Sequence, residues 1–156
     1  MDDTNSRAVR PVAIGSDHAG YDLKQELVEA LRAEGYQVED FGAFSRESVD
    51  YPDIAREVAE AVSAGRFERG ILVCGTGIGM SIAANKVPAV RAAACSEPYS
   101  AIMARRHNNA NVLAVGGRVV GPGLALEIAR AFLETDFEHG SRHERRVEKI
   151  NAIDRR

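Results

Sequence analysis

Short runs of small and apolar residues alternate along this chain with longer segments in which apolar residues recur every three or four positions. The short runs predict strands over 12–16, 37–41, 71–73, 91–95 and 112–115. The longer segments predict helices. In the first, over 21–34, Leu23, Leu27 and Leu31 share one face, and Gly35 stands after it as the residue that ends it. Pro52 opens the second, whose inward stripe is Ile54, Val58, Ala61 and Val62, and Gly65 stops it. A third helix is expected over 80–85, closed near Val87 and Pro88. A fourth runs over 97–106 with Ser96 as its cap. Residues 122–134 place Leu124, Ile128 and Phe132 on a core face, and a charged helix over 141–153 has only Val147, Ile150 and Ile153 to bury.

Strand and helix alternate five times, which predicts an α/β fold with a parallel sheet and helices on both faces. No repeat or inter-domain linker interrupts the pattern, so 1–156 reads as one domain, with residues 1–10 as a loose polar tail. In such sheets ligands bind beyond the carboxyl ends of the strands. That rule selects Asp17, His18, the stretch 74–79 and Arg118. His107 falls in a helix-to-strand connection, at the other edge, and would reach such a site more naturally from a second subunit.

Composition changes this picture little. The chain has 156 residues, of which 45% are hydrophobic and 28% charged, as in ordinary globular domains. A formal charge of −3 argues against nucleic acid as the main partner, and no apolar run is long enough to span a bilayer. Two cysteines, Cys74 and Cys95, make no disulfide framework, which fits a reducing, cytoplasmic setting.

The stretch 70–86 carries the most chemistry. A buried strand runs into Cys74, with Gly75, Thr76, Gly77, Ile78 and Gly79 next, then a helix. The helix would point free N–H groups above the turn, and a thiol beside them would have its thiolate stabilised. The pattern is not a dinucleotide fingerprint: Met80 stands where the third glycine belongs, and the motif comes after the third strand rather than the first. Nor is it a phosphate loop of the Walker type, because no Lys stands directly after the glycines. A nucleotide-binding reading is therefore weak.

The remaining candidates each suit two readings. Cys74 is either an inert core thiol or a base, and Cys95, with no glycine turn after it, reads as structural. Asp17 and His18 are either a turn cap and a surface imidazole or ligands of a polar substrate. His107 is a helix-end imidazole meeting the dipole or an acid–base group. Arg142 and Arg146 project from one helix face, as a solvated basic stripe or as two forks for a phosphate.

Taken together, the motifs resemble the ribose-5-phosphate isomerase B family, which includes the galactose-6-phosphate isomerase subunits. The matching pieces are Gly-Ser-Asp-His-Ala-Gly at 15–20, Val-Asp-Tyr-Pro-Asp at 49–53, Cys-Gly-Thr-Gly-Ile-Gly at 74–79, Ile-Ala-Ala-Asn-Lys at 82–86, His107-Asn108, Asn-Val-Leu-Ala-Val-Gly at 111–116 with Arg118, and Arg-His-Glu-Arg-Arg at 142–146. The resemblance implies a three-layer, Rossmann-like α/β/α sandwich with a five-stranded parallel sheet. It implies a homodimer or tetramer with the active site shared between subunits. It implies a metal-free, cofactor-free aldose–ketose isomerase of the pentose phosphate pathway, acting on a sugar phosphate, by default ribose 5-phosphate. Allose-6-, galactose-6- and tetrose phosphates are alternative substrates, and a non-catalytic sugar-phosphate-binding subunit is an alternative role.

Carried over by residue, Cys74 is the expected base. One branch of the family uses a glutamate six residues further on, and Met80 stands there in this chain. Thr76 and the N–H groups of Gly75, Gly77 and Gly79 match the anion hole. His107 matches the ring-opening group, with Asp17 as its helper. His18, Arg118, Arg142 and Arg146 match the phosphate ligands, and Tyr51 and Asn108 the sugar-contacting positions.

Overall fold

The computed structural model describes residues 10–154. The expectation of a loose tail over 1–10 lies mostly outside them, although Arg10 is described and pairs with Glu68 at 3.1 Å. The elements in order are β1 (Val12–Ser16), α1 (Tyr21–Ala33), β2 (Val38–Asp40), α2 (Tyr51–Ser63), β3 (Arg69–Cys74), α3 (Ile78–Ala84), β4 (Ala92–Ala94), α4 (Pro98–Asn108), β5 (Val112–Gly116), α5 (Pro122–Glu134) and α6 (Arg142–Ile153). All strands pair in parallel, in the spatial order β2-β1-β3-β5-β4. The predicted α/β architecture is therefore observed. Among the described residues, no helix is long and apolar enough to cross a membrane.

Strand periodicity divides the core. Ile14, Ile71, Val73, Leu113 and Val115 face α1, α4 and α5, where Leu27, Leu31, Ala101, Ile128 and Phe132 meet them. Their neighbours Ala13, Leu72, Cys74, Val112 and Ala114 face α2 and α3, against Ala55, Val58, Met80 and Ala84. Both faces of the three central strands are covered, as a parallel sheet requires. Cys74 consequently points toward α2 and α3.

Several expectations need correction. The edge strands β2 and β4 have three residues each rather than five, since each has a ladder partner on one side only. Glu97, not Ser96, caps α4: its carboxylate accepts the Ser100 N–H at 2.9 Å. The helix after the glycine turn begins at Ile78, two residues earlier than predicted. In α5, Ala125 and Ala129 take the buried positions beside Ile128 and Phe132, while Leu124 stays exposed. In α6, Val147 and His143 are buried, and Ile150 and Ile153 are exposed.

A buried lysine fixes the loop over the carboxyl edge. Lys24 Nζ donates to Asp40 Oδ1 and Oδ2 at 2.7 and 2.9 Å and to the Ala43 carbonyl. With its charge paired and its donors used, Lys24 can sit in the core. It ties the start of the 42–50 connection to α1, so the connection descends past the end of β1 toward Tyr51.

Candidate active site

Three loops meet at the carboxyl edge of β1, β3 and β5. After Cys74 the chain turns through Gly75, Thr76 and Gly77. Gly77 has φ of +81°, a left-handed conformation that glycine adopts without steric cost. That geometry sends the Gly77 N–H back to Cys74 Sγ at 3.1 Å. The sulfur thus accepts a hydrogen bond at the start of α3. Thr76 Oγ1 accepts the Ile78 N–H at 3.2 Å, and Thr76 itself is exposed at the mouth. The N–H groups of Gly79 and Met80 belong to the first turn of α3, which has no intrahelical acceptor for them.

The neighbouring loops are strapped to this turn. The Gly117 N–H donates to the Cys74 carbonyl at 2.8 Å, and the Arg118 N–H to the Gly75 carbonyl at 3.0 Å. A methyl group on Gly116 would lie 2.7 Å from the Thr76 backbone, so the end of β5 and the turn are in direct contact. The Arg118 side chain lies alongside Gly75. From β1, the Asp17 N–H donates to the Val73 carbonyl at 3.1 Å, and Asp17 Oδ1 accepts the Gly20 N–H at 2.9 Å. His18 Nδ1 accepts the Val49 N–H at 3.2 Å, which leaves its proton on Nε2 as a donor. The Tyr51 ring packs on Gly79, where a Cβ would approach within 2.8 Å. One chain therefore gathers Asp17, His18, Tyr51, Cys74, Thr76, the glycine turn and Arg118.

His107, Asn108, Arg142 and Arg146 form a second group elsewhere. His107 lies in the last turn of α4 rather than in the loop after it, and the chain then enters β5 at its amino end. The length of β5, about 15 Å at the usual strand rise, separates that edge from Gly116 and its ladder partner Cys74. His107 stacks on His143 of α6 with ring centroids 3.9 Å apart and planes 11° from parallel. The Glu138 carboxylate spans both rings, with Oε1 4.0 Å from His107 Nε2 and Oε2 3.9 Å from His143 Nε2. Burial, the neighbouring His107 and the Arg142 and Arg146 charges hold the His143 pKa below the ordinary imidazole value, with Glu138 opposing in part.

The ligand atoms of His107, Glu138 and His143 lie within 4.8 Å of one another, a grouping that could hold a cation. The charges around it favour an anion instead: Arg106 lies 3.8 Å from the same carboxylate, and Arg142 and Arg146 stand on the adjoining helix.

Residues 12–150 match the family described as Ribose/Galactose Isomerase. The chain belongs to that family. It is 51% identical over 148 residues to ribose-5-phosphate isomerase B of Escherichia coli, covering 95% of this chain and 99% of that protein. It is 49% identical to a D-erythrulose-4-phosphate isomerase of Pectobacterium atrosepticum, covering 89% and 91%. Among solved structures, ribose-5-phosphate isomerase B of Clostridium thermocellum superposes with a TM-score of 0.90 at 54% identity, covering 93% of this chain and 97% of that one.

Within this isomerase fold, the candidate residues divide into two sets, one at each edge of the sheet. Sequence reasoning misses two residues at the second edge. Glu138 sits in an irregular connection with no local signature, and His143 is inconspicuous inside the Arg-rich motif. Their contacts with His107 join segments about 30 residues apart, which spacing does not reveal. The structural reading of Cys95 fits its surroundings: burial and the nearby Glu97 push its pKa up to about 11.

Proposed function

We propose that this protein is an aldose–ketose isomerase that interconverts ribose 5-phosphate and ribulose 5-phosphate through an enediolate. The observation that carries the reading is the Cys74 sulfur, which accepts the Gly77 N–H at the mouth of the glycine turn. The donor holds the sulfur in place at the mouth of the turn, where as thiolate it can act as the base. In the proposed reaction Cys74 takes the proton from C2 of the open-chain aldose and returns it to C1, while the O2 hydroxyl proton passes to O1, so the carbonyl moves from C1 to C2. The carbonyl oxygen gains negative charge as the proton leaves. Thr76 and the N–H groups opening α3 stand where they can donate to it. Met80 is fully buried and apolar, so the position used by the glutamate branch supplies no competing acid.

The sugar is mostly cyclic, so an acid–base group must open the ring, a role we assign to His107 with Asp17 as its helper. His18 through Nε2–H, Arg118, Arg142 and Arg146 bind the phosphate, and Tyr51 and Asn108 contact the sugar hydroxyls. Holding the phosphate orients the reacting carbons. Because His107, Asn108, Arg142 and Arg146 lie a strand's length from Cys74 in one chain, we assign them to the site of a second copy. Ile78 and Ile82, 57% and 59% exposed beside the turn, offer that copy an apolar surface. The reading places the protein in the cytoplasm, in pentose phosphate metabolism.

The test is conversion of ribose 5-phosphate by the purified chain in the presence of chelator, with Cys74→Ala in parallel. The account expects turnover that survives chelator and is lost in the variant. Undiminished turnover by Cys74→Ala would remove the sulfur from the mechanism. The resemblance to a D-erythrulose-4-phosphate isomerase favours a second reading, a four-carbon substrate. Faster conversion of tetrose than of pentose phosphate would select it.

A further inference from the structure

A cavity of about 700 Å³ opens at the amino edge of the sheet, and its lining does not include His107, Glu138 or His143. Phe137 and His139 line it, while Glu138 between them turns its carboxylate toward His107 and His143. The cavity is therefore separate from the group proposed to act on the sugar.

Its lining is unusual in charge. Arg10, Arg69, Arg91 and Arg105 border it against two acids, Glu68 and Asp136. Glu68 is engaged by Arg10 at 3.1 Å. Among the described residues, no carboxylate oxygen comes within 4.0 Å of the Arg69, Arg91 or Arg105 guanidinium, whereas Arg46 and Arg56 each have a carboxylate at 2.7 Å. Neutral acceptors hold Arg105 and Arg91. Arg105 donates to the carbonyls of Thr135 at 3.1 Å and Ala110 at 2.6 Å and to Asn109 Oδ1 at 2.9 Å. Arg91 donates to the Asn109 carbonyl at 2.9 Å and Asn151 Oδ1 at 3.0 Å. Arg69 donates through Nη1 to the Glu68 carbonyl at 3.3 Å, and among the described residues its buried Nε has no hydrogen-bond partner.

Carbonyl and amide dipoles orient these cations without neutralising them. Burial and repulsion from Arg69 and Arg91 push the Arg105 pKa down to about 9, with only partial relief from Asp136 and Glu68. Burial lowers those of Arg69 and Arg91 as well. Three guanidinium groups on one cavity wall, acted on by Glu68, Asp136 and Asp154 only from beyond ion-pair distance, beside a cavity the size of a small-molecule site, match the chemistry of a phosphate group.

We propose that Arg69, Arg91 and Arg105 form a second oxyanion site, separate from the catalytic one, that binds a phosphate or phosphate-ester group. The probe is pyrophosphate, titrated calorimetrically into the full chain at low ionic strength. His18→Ala/Arg118→Ala/Arg142→Ala/Arg146→Ala serves as the background, so that the proposed catalytic phosphate ligands are removed. That background retains one pyrophosphate site per chain. Adding Arg69→Gln weakens it about tenfold or more, as expected for loss of a charge-assisted fork. Adding Glu68→Gln/Asp136→Asn tightens it several-fold, and this pair alters only exposed side chains, so it decides the matter if the Arg69 variant fails to fold. No binding in the background, or tightening absent from the Glu68/Asp136 variant, overturns the proposal. Because the readout is binding rather than turnover, the outcome is independent of the isomerase reading.

Discussion

Cys74 and Cys95 occupy equivalent places, just at or after the carboxyl end of a parallel strand, and are equally buried at 5% and 6% exposure. Their surroundings are opposite. After Cys74 come three glycines in five residues, so the backbone doubles back and delivers an N–H to the sulfur. After Cys95 come Ser96 and Glu97, and its thiol makes a long 3.9 Å contact to the Ala93 carbonyl with a carboxylate nearby. Burial alone would make both thiols inert. The residues just past the strand end decide which sulfur receives an N–H donor and which faces a carboxylate.

The largest effect should separate the two by turnover. Cys74→Ala lowers kcat by about 10²- to 10⁴-fold, the usual worth of a general base, while Cys95→Ala leaves it within about twofold. Steady-state rates with ribose 5-phosphate check this, and similar losses in both variants would break the contrast. Next is the turn itself. Gly77→Ala forces φ of +81° on a residue with a Cβ and brings that Cβ within 3.0 Å of the Val115 backbone. A destabilisation of about 1–3 kcal/mol by denaturant unfolding is expected, with loss of activity in the fraction that remains folded.

Alkylation sharpens the comparison further. With a pKa near 11, Cys95 is about one-thousandth thiolate at pH 8, so iodoacetamide should modify Cys74 first in the native protein. Peptide mapping of the labelled chain reads the order. The smallest effect concerns stability. The Cys95 thiol keeps its proton in the folded state to about pH 11, above the ordinary value of 9.0 for the free thiol. Its contribution is fully present below pH 9 and is lost as pH rises through 11, because the unfolded chain gives up the proton first. Thermal unfolding from pH 8 to 11 should show a decline that is shallower in Cys95→Ala.

Much of this architecture is legible in the amino-acid order. The three central strands announce themselves because both faces are apolar, and α5 is bounded by Pro122 and a run that stops at Glu134. The turn after Cys74 is readable as a ligand-binding turn, but its length is not. Three glycines look like continuous loop, whereas Gly79 lies inside α3, where the Tyr51 ring leaves no room for a Cβ. Ile150 and Ile153 look like core residues by type, yet among the described residues of one chain nothing covers them enough to bury them. The Glu138–His143–His107 grouping is invisible in the sequence, since it depends on how α4 and α6 pack rather than on any local pattern.

The central claim is that one active site draws Cys74 from one copy and His107 from another. Subunit complementation tests it most directly. Cys74→Ala and His107→Gln are each inactive by this account. Unfolding and refolding them together in equal amounts makes half of the dimers hybrid, and each hybrid has one site with both residues intact. The mixture should recover about a quarter of wild-type activity by this statistical assembly of a two-fold symmetric dimer. A mixture no more active than its parents would contradict the shared site and return the search for the ring-opening group to the chain that carries Cys74.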